Sequence, residues 1–241
     1  MDNNPTAGAS GRANTTPSRP EIDAGLRQFL VRVYNYMAFG LTLTGTVAYL
    51  AAESGLYTSL TKTPLLLWGV VLAPLALVLF LSFRIEKMNL ASAQAAFWGY
   101  AALMGLSLAG IFLVYTGTSI TRTFFITAAT FLSMSVYGYA TRRDLSSWGS
   151  FFGMGLVGVI IASLVNIFLA SSALQFAISL IGVVVFVGLT AYDTQRIRDI
   201  YLGSDVAETT GKKAIMGALT LYLDFLNLFV LLLQLTGQRR D

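Results

Sequence analysis

The sequence contains no cysteine and no histidine among its 241 residues. Without cysteine there is no disulfide, no thiolate nucleophile and no iron–sulfur or cysteine-ligated zinc site. Without histidine, the Ser-His-Asp triad, the HExxH metalloprotease pattern and histidine-ligated haem are excluded as well. Because these absences remove so many hydrolases and metalloenzymes, we expect the protein not to be an enzyme and to carry no cofactor.

Charged residues are also scarce. Only 12% of the residues are charged and 55% are hydrophobic, whereas a soluble domain has roughly 25% charged residues. The formal charge is +4, but the basic residues lie between apolar segments instead of forming one stripe, so no nucleic-acid partner is indicated. This composition predicts an integral membrane protein whose principal partner is the lipid bilayer.

Seven apolar segments are long enough to cross ~30 Å of hydrocarbon as helices. They are expected at about 29–52, 65–83, 90–114, 122–140, 149–170, 173–193 and 214–235. Residues 1–25 are polar, lack a signal-peptide pattern and are expected to be a disordered tail. Short connections favour antiparallel neighbours in one domain. The predicted fold is therefore all-α, a seven-transmembrane-helix bundle over residues 26–241.

Basic residues are divided unequally between the two sides of this bundle. The tail and the connections after the second, fourth and sixth segments hold twelve Lys and Arg, and the other side holds four. The positive-inside rule then predicts a cytoplasmic N-terminus and, with seven spans, an external C-terminus. Six spans and a re-entrant segment would return the C-terminus to the cytoplasm, and the sequence leaves that alternative open. The short tail favours a bacterial inner membrane over an endoplasmic reticulum or Golgi location.

Two aspartates lie in or beside the apolar segments. Asp224 is about eleven residues into the last segment, near mid-membrane, where an ionisable side chain costs at least ~2.5 kcal/mol and usually faces the bundle interior or a wet cavity. Asp193 ends the sixth segment, but the helical pattern continues through Ile197 and Ile200. If the sixth helix ends near residue 201 and the seventh begins near 213, the carboxylates lie ~12 Å and ~16 Å from the turn. Both then sit at similar depth on adjacent helices.

Each of these polar positions also has a simpler interpretation. Asp224 can be a neutral acid satisfied by Asn227, which shares its helix face, and Asp193 can mark the cytoplasmic edge. Asn166, in the fifth segment, can line a cavity or make an interhelical hydrogen bond. The GxxxG formed by Gly149 and Gly153 favours close packing within the bundle over dimerisation, and we expect a monomer.

If the two aspartates meet away from bulk water, they cannot both ionise cheaply and share one proton, so that the pair responds to pH. When deprotonated, the pair is a hard oxygen site suited to Ca²⁺. A full Ca²⁺ shell takes about 6 to 8 oxygens, so water or carbonyl groups must supply the remainder. Two aspartates alone do not determine which metal ion is selected.

The stretches AYDTQ (191–195) and LYLDFLNLF (221–229) resemble the Bax inhibitor-1 family, also called the YccA-like or transmembrane Bax inhibitor motif family. The resemblance extends from about residue 25 to 236. It implies seven helices with the last one central and, for some members, a pH-sensitive Ca²⁺ leak governed by an aspartate dyad that maps onto Asp193 and Asp224. It also implies an arginine bonded to the dyad. Arg84 matches that arginine by position, although a routine positive-inside anchor is the alternative.

Three functions are compatible with these residues. The favoured one, by resemblance, is a pH-sensitive cation leak channel passing Ca²⁺ or H⁺, with the direction of the pH response left open. A non-conducting regulator that binds other membrane proteins, such as a quality-control protease, is the alternative. An intramembrane aspartyl protease is less favoured. Tyr192-Asp193 resembles the YD half of presenilin-type enzymes, but the residues before Asp224 lack both glycines of GxGD.

Overall fold

The computed structural model describes residues 19–240, with side chains from residue 23 onward, and it consists almost entirely of α-helices. The helices are α1 (Arg19–Glu53), α2 (Leu56–Thr61), α3 (Pro64–Arg84), α4 (Leu90–Leu108), α5 (Gly110–Val114), α6 (Gly117–Ala140), α7 (Ser146–Leu169), α8 (Ser172–Asp199) and α9 (Ala207–Thr236). A 3₁₀ turn at Ile85–Lys87 follows α3. Within the described residues, β-structure is limited to one isolated bridge. The all-α expectation is confirmed.

Five helical stretches are both long enough and apolar enough to cross a membrane. They are Pro64–Lys87, Leu90–Val114, Ser146–Leu169, Ser172–Asp199 and Ala207–Thr236. Helices α1 and α6 are long enough, with 35 and 24 residues, but Thr, Tyr and Gly recur along both and make them less apolar. Length and composition therefore support five spans and do not confirm the expected seven.

Several helices extend past the apolar segments that the sequence marks. Helix α1 begins at Arg19 rather than near residue 29, so residues 19–25 of the expected tail are helical, and residues 1–18 lie outside the described residues. Helix α9 begins at Ala207 rather than near 213. Hydropathy marks only the part of a helix within hydrocarbon, whereas hydrogen-bonded turns with polar side chains continue into the interface.

Helix α9 lies at the centre of the bundle. It packs against α1, α4, α6 and α8. The buried share of its apolar stretch is 67%, whereas this share is 39% for α8 and 11% for α3 and for α7. Tyr222, fully buried on α9, packs edge-on against Phe97 and Tyr100 of α4. The structure therefore places the last helix at the centre of the bundle, as the family resemblance implies.

The start of α1 and the connections after α3, α6 and α8 meet at one end of the bundle. The Phe29 and Tyr201 rings are 5.4 Å apart, and Arg198 Nη1 donates to the carbonyl of Tyr139 at 2.6 Å. Lys212 Nζ donates to a carbonyl in the 3₁₀ turn after α3. This end, called the basic end below, carries Arg27, Arg32, Arg84, Lys87, Arg142, Arg143, Arg196, Arg198, Lys212 and Lys213.

The chain's last described residues lie at the opposite end of the bundle. There the backbone N–H of Arg240 donates to the carbonyl of Val114 at 2.9 Å, and the N–H of Thr116 donates to the carbonyl of Gln238 at 3.0 Å. These bonds tie the segment after α9 to the turn between α5 and α6. The two ends are thus separated by the length of the helices, and the positive charge gathers at one of them.

Candidate functional site

Asp193 and Asp224 are brought opposite each other by the antiparallel register of α8 and α9. Paired positions along the two helices are Ile197 with Gly217, Gly182 with Leu231, and Ser179 with Gln234. Two of these pairs contain a glycine, which allows the helices to approach closely because no side chain separates them. In the register that these contacts fix, residue 193 is level with about residues 220–221 of α9, and Asp224 lies about one turn further along, within reach of the Asp193 side chain.

The two carboxyl groups are buried and in contact. Asp193 is 8% exposed and Asp224 is 4% exposed, and their side chains lie close enough for a hydrogen bond between them. Such a bond requires a proton on one of the two groups, since an ionised carboxylate only accepts. Without that proton, Asp224 Oδ2 is buried with no hydrogen-bond partner in the described part of the chain. The geometry is that of two adjacent buried carboxyl groups, which one shared proton would join.

The pair forms part of the wall of a cavity of about 730 Å³. Helices α8 and α9 form one side, and Leu75 and Val78 of α3 and one face of α7 form the other. Helix α3 packs mainly on α4, and α7 packs mainly on α8, so the cavity opens between α3 and α7. Its walls are largely apolar, with Thr220 and Asn227 beside the carboxylates. This is space for a small hydrated ion next to an acid pair.

Arg196 is a cation beside the pair. It is on α8, one turn beyond Asp193 towards the basic end, where its charge acts on the Asp193 carboxyl group, and it lines the same cavity. The sequence marks Arg196 only as one of many positive-inside residues. Its spacing of three residues from Asp193 is the signal that identifies it as a neighbour of the pair.

Arg84 is not brought to the pair in this structure. Its side chain is exposed, and the ion pairs within residues 23–240 do not include it. Arg84 is the last residue of α3, after which the chain turns away, and α3 reaches the cavity two to three turns earlier, at Leu75 and Val78. Its contact with the dyad, which the resemblance implied, is therefore absent here.

Asn227 and Asn166 have different surroundings. Asn227 lines the cavity, but its amide donates to the carbonyl of Leu223 on its own helix at 2.8 Å, so it is not the partner of Asp224. Asn166 lies outside the cavity. Its Nδ2 donates to Gln175 Oε1 on α8 at 3.1 Å, and its Oδ1 accepts from the N–H of Ser171. Asn166 therefore makes an interhelical hydrogen bond, which is the simpler of the two interpretations of this residue.

Asn166 belongs to a set of polar side chains at the end opposite the basic end, called the amide cluster below. Its members are Asn166 of α7, Gln175 and Ser179 of α8, and Gln234 of α9. Gln234 Oε1 accepts from Gln175 Nε2 and from Ser179 Oγ, both at 2.9 Å. Sequence analysis overlooked this cluster, although the polar positions recur at helical spacing on α8.

The turn between α6 and α7 is fastened to α8 close to the acid pair. Gln195, two residues after Asp193, accepts from the N–H of Leu145 and donates to the carbonyl of Arg143, both at 2.8 Å. In the same turn, hydrogen bonds from Ser146 lower the pKa of the exposed Asp144. These bonds hold the part of α8 that carries Asp193 against its neighbours.

The pair alone does not make a closed metal site. No group of three or more Asp, Glu, His or Cys side chains gathers anywhere in the searched residues 19–240. Two carboxylates offer at most four oxygens, whereas Ca²⁺ takes about 6 to 8. Water, Thr220 and Asn227 would have to supply the others. This donor set suits passing contact with a hydrated cation more than permanent retention of one.

Comparison with known proteins gives matches along nearly the whole chain. A family model described as inhibitor of apoptosis-promoting Bax1 matches residues 26–241. An uncharacterized protein of Rickettsia prowazekii, RP147, is 50% identical over 230 residues, which cover 94% of this chain and 96% of the relative. The inner membrane protein YbhL of Escherichia coli K12 is 48% identical, with 90% and 94% covered. An uncharacterized membrane protein of Streptococcus pyogenes is 36% identical, with 90% and 96% covered.

Proposed function

The chain belongs to the Bax inhibitor-1 family, and from that membership and the geometry of its acid pair we propose that it is a pH-sensitive cation leak channel. The observation that carries this proposal is the buried contact between Asp193 and Asp224 on the wall of a cavity of about 730 Å³. Ca²⁺ is the favoured ion because the family resemblance implies it.

The chemistry follows from the charge of the pair. When both carboxylates are ionised, two negative charges face one cavity in a medium of low dielectric constant and attract a divalent cation strongly. Uptake of one proton halves that charge, and uptake of a second removes it. Conduction should therefore depend on pH through the charge state of Asp193 and Asp224. Arg196, the cation beside them, contributes a fixed positive charge at the basic end of the cavity.

For the membrane arrangement, we propose seven spans with the N-terminus in the cytoplasm. Helices α1 and α6 connect the two ends of the bundle, as the five more apolar stretches do, and this supports counting them as spans. Helix α9 is one uninterrupted helix of 30 residues, about 45 Å long, which argues against a re-entrant last segment. The excess of basic residues then assigns the basic end to the cytoplasm.

We propose an inner-membrane location. The relative YbhL is by name an inner membrane protein, and the five apolar stretches described above are long and apolar enough to cross a lipid bilayer.

The test of the channel proposal is Ca²⁺ flux into proteoliposomes that contain the purified full chain and an internal Ca²⁺ indicator. Flux is measured over a series from mildly acidic to mildly alkaline pH for the parent, Asp193→Asn and Asp224→Asn. Asn resembles a protonated carboxyl group in size and charge. Each variant should therefore resemble the parent with one proton on the pair, so that one of the two protonation steps is lost and the pH dependence flattens.

The matched control is Asp199→Asn, the same substitution on α8 at a side chain that is 57% exposed and paired with Arg198. This variant should keep the parent's pH profile, because it leaves the cavity unchanged. If both Asp193→Asn and Asp224→Asn retained the parent's flux and pH profile, the pair would have no role in conduction and the proposal would be wrong. Parent flux no greater than that of empty liposomes would equally contradict it.

A further inference from the structure

A groove of about 740 Å³ runs along the outward face of α1 near the basic end. One part of its wall is basic and polar, with Arg27, Gln28 and Arg32. The other part is apolar and aromatic, with Phe39 of α1 and Trp98 of α4. The groove, called the α1 groove below, is separate from the cavity beside the acid pair and shares no lining residue with it.

The two parts of the α1 groove are ordered along the helix axis. Arg27 and Phe39 are twelve residues apart, which is about 18 Å along an α-helix. Arg27 lies towards the basic end of the bundle, and Phe39 lies towards its middle, where its side chain is 63% exposed. A large apolar side chain exposed at that depth faces hydrocarbon, whereas the arginines lie where the headgroups of a bilayer are found. The groove therefore has the polarity of an amphiphile.

The basic part carries a net positive charge. Neither Arg27 nor Arg32 has a carboxylate within 4 Å among the side chains of residues 23–240. Asp23 lines the neighbouring groove, which shares Arg27 with this one, but Asp23 does not line the α1 groove itself and forms no ion pair with Arg27. A guanidinium group offers paired N–H donors whose geometry matches two oxygens of one phosphate. Gln28 supplies a further donor beside them.

From this arrangement we propose that the α1 groove binds one anionic phospholipid. Its phosphodiester bonds Arg27 and Arg32, and one acyl chain lies along Phe39 and Trp98. Basic pockets between helices on the cytoplasmic side bind anionic headgroups by the same physics. A free phosphate ion would use only the arginines and would leave the apolar part without a partner. The length and polarity of the groove therefore favour the lipid, and this site does not depend on whether the protein conducts ions.

The test is native mass spectrometry of the detergent-purified full chain titrated with palmitoyl-oleoyl phosphatidylglycerol or the matching phosphatidylcholine. The parent should bind the first phosphatidylglycerol more tightly than phosphatidylcholine, by on the order of thirtyfold if two basic residues contribute additively. The double variant Arg27→Gln, Arg32→Gln should bind both lipids about equally. Its melting temperature should match that of the parent, which shows that it is folded.

Three controls distinguish the source of the phosphate and the place of binding. Arg122→Gln, at an exposed arginine near the opposite end, should keep the lipid preference. Phe39→Ala should weaken the binding of both lipids, because it shortens the apolar wall. Inorganic phosphate at the same concentration should not displace the lipid. The proposal would be overturned if the preference for phosphatidylglycerol survived the loss of both arginines. It would also be overturned if Arg122→Gln reduced that preference as much as the double variant does, or if inorganic phosphate displaced the lipid fully.

Discussion

At the scale of single residues, glycines decide how closely helices approach the acid pair. A Cβ atom on Gly138 of α6 would lie 2.1 Å from the carbonyl oxygen of Ala191, two residues before Asp193. Gly149 of α7 lies against the ring of Tyr192 in the same way, with a Cβ distance of 2.4 Å. Two neighbouring helices therefore touch α8 directly beside Asp193, and the contact at Gly138, which is with backbone, requires the absence of a side chain.

The first prediction at this scale concerns Gly138→Ala. Because the added methyl group meets a backbone carbonyl, it cannot be accommodated by a side-chain rotation, and the helices must separate. We expect a loss of about 1–3 kcal/mol, seen as a melting temperature lower by on the order of 5 °C. Tryptophan fluorescence of the detergent-solubilised protein during heating measures this change.

The matched control for that prediction is Gly153→Ala on α7. No atom lies within 4 Å of a Cβ at Gly153, so the melting temperature should stay the same or rise slightly through better helix propensity. Equal melting temperatures for Gly138→Ala and the parent would contradict the close contact of α6 with α8. The GxxxG at Gly149 and Gly153 thus contributes one packing contact within the bundle, through Gly149 alone.

Single residues also illustrate what the sequence reveals about the site. Asp193 and Asp224 are conspicuous because an acid in or beside an apolar segment has few reasons to be there, and helix lengths predict that the two can sit at similar depth on adjacent helices. Arg84 and Arg196 are basic residues at helix ends, and many such residues serve only as anchors. Which of the two adjoins the pair depends on the direction in which each side chain leaves its helix, and hydropathy carries no information about that direction.

At the scale of helices, the amide cluster fastens α7, α8 and α9 together at the end opposite the basic end. Gln234 is the only member on α9, and it accepts two hydrogen bonds from α8. Hydrogen bonds between transmembrane helices contribute about 0.6 kcal/mol on average and up to about 1.7. The cluster therefore helps to set the register that brings Asp193 and Asp224 together some ten residues away.

We predict that Gln234→Leu lowers the stability of the protein by about 1–2 kcal/mol, since Gln175 Nε2 and Ser179 Oγ lose their shared acceptor. The melting temperature in detergent checks this. Thr236→Val is the control, because the Thr236 hydroxyl is exposed and bonds only to the carbonyl of Leu232 on its own helix. A larger loss for Thr236→Val than for Gln234→Leu would show that the cluster does not stabilise the bundle.

Helices differ in how well the sequence predicts them. The five most apolar ones were located to within a few residues at most ends because about 20 apolar residues in a row leave no other structure in a bilayer. The start of α1, the short helix α2 and the interruption of the third segment at Ala109 were missed. Each depends on local backbone geometry or interfacial polar residues, which hydropathy does not register.

At the scale of the whole molecule, the connections between the described helices are short, and they lie at one end of the bundle or the other. The chain has no cysteine, so a single introduced cysteine is the only thiol in the protein. Ser54, between α1 and α2, and Ser204, between α8 and α9, are both exposed. They lie at opposite ends of the bundle, and their accessibility reports its orientation.

We predict that a membrane-impermeant maleimide added to intact cells labels Ser54→Cys and leaves Ser204→Cys unlabelled until the membrane is permeabilised. The reason is the positive-inside assignment of the basic end to the cytoplasm. The two variants control for each other, since each is accessible from one side only. If only Ser204→Cys were labelled in intact cells, the orientation would be the reverse of the one proposed. If both variants were labelled, residues 54 and 204 would lie on the same side, which contradicts an odd number of spans between these two positions.

The central position of α9 has a consequence for how the protein is made. Ribosomes add α9 after α1, α4, α6 and α8, so those helices enter the membrane before the partner that covers their inner faces exists. The ring of Phe97 on α4 meets Tyr222, and the ring of Phe131 on α6 meets Phe225. Until translation passes α9, these aromatic rings lack their native partners on α9. Assembly of the interior is thus a late event, and a ribosome that stalls before α9 leaves an open bundle for chaperones and proteases to recognise.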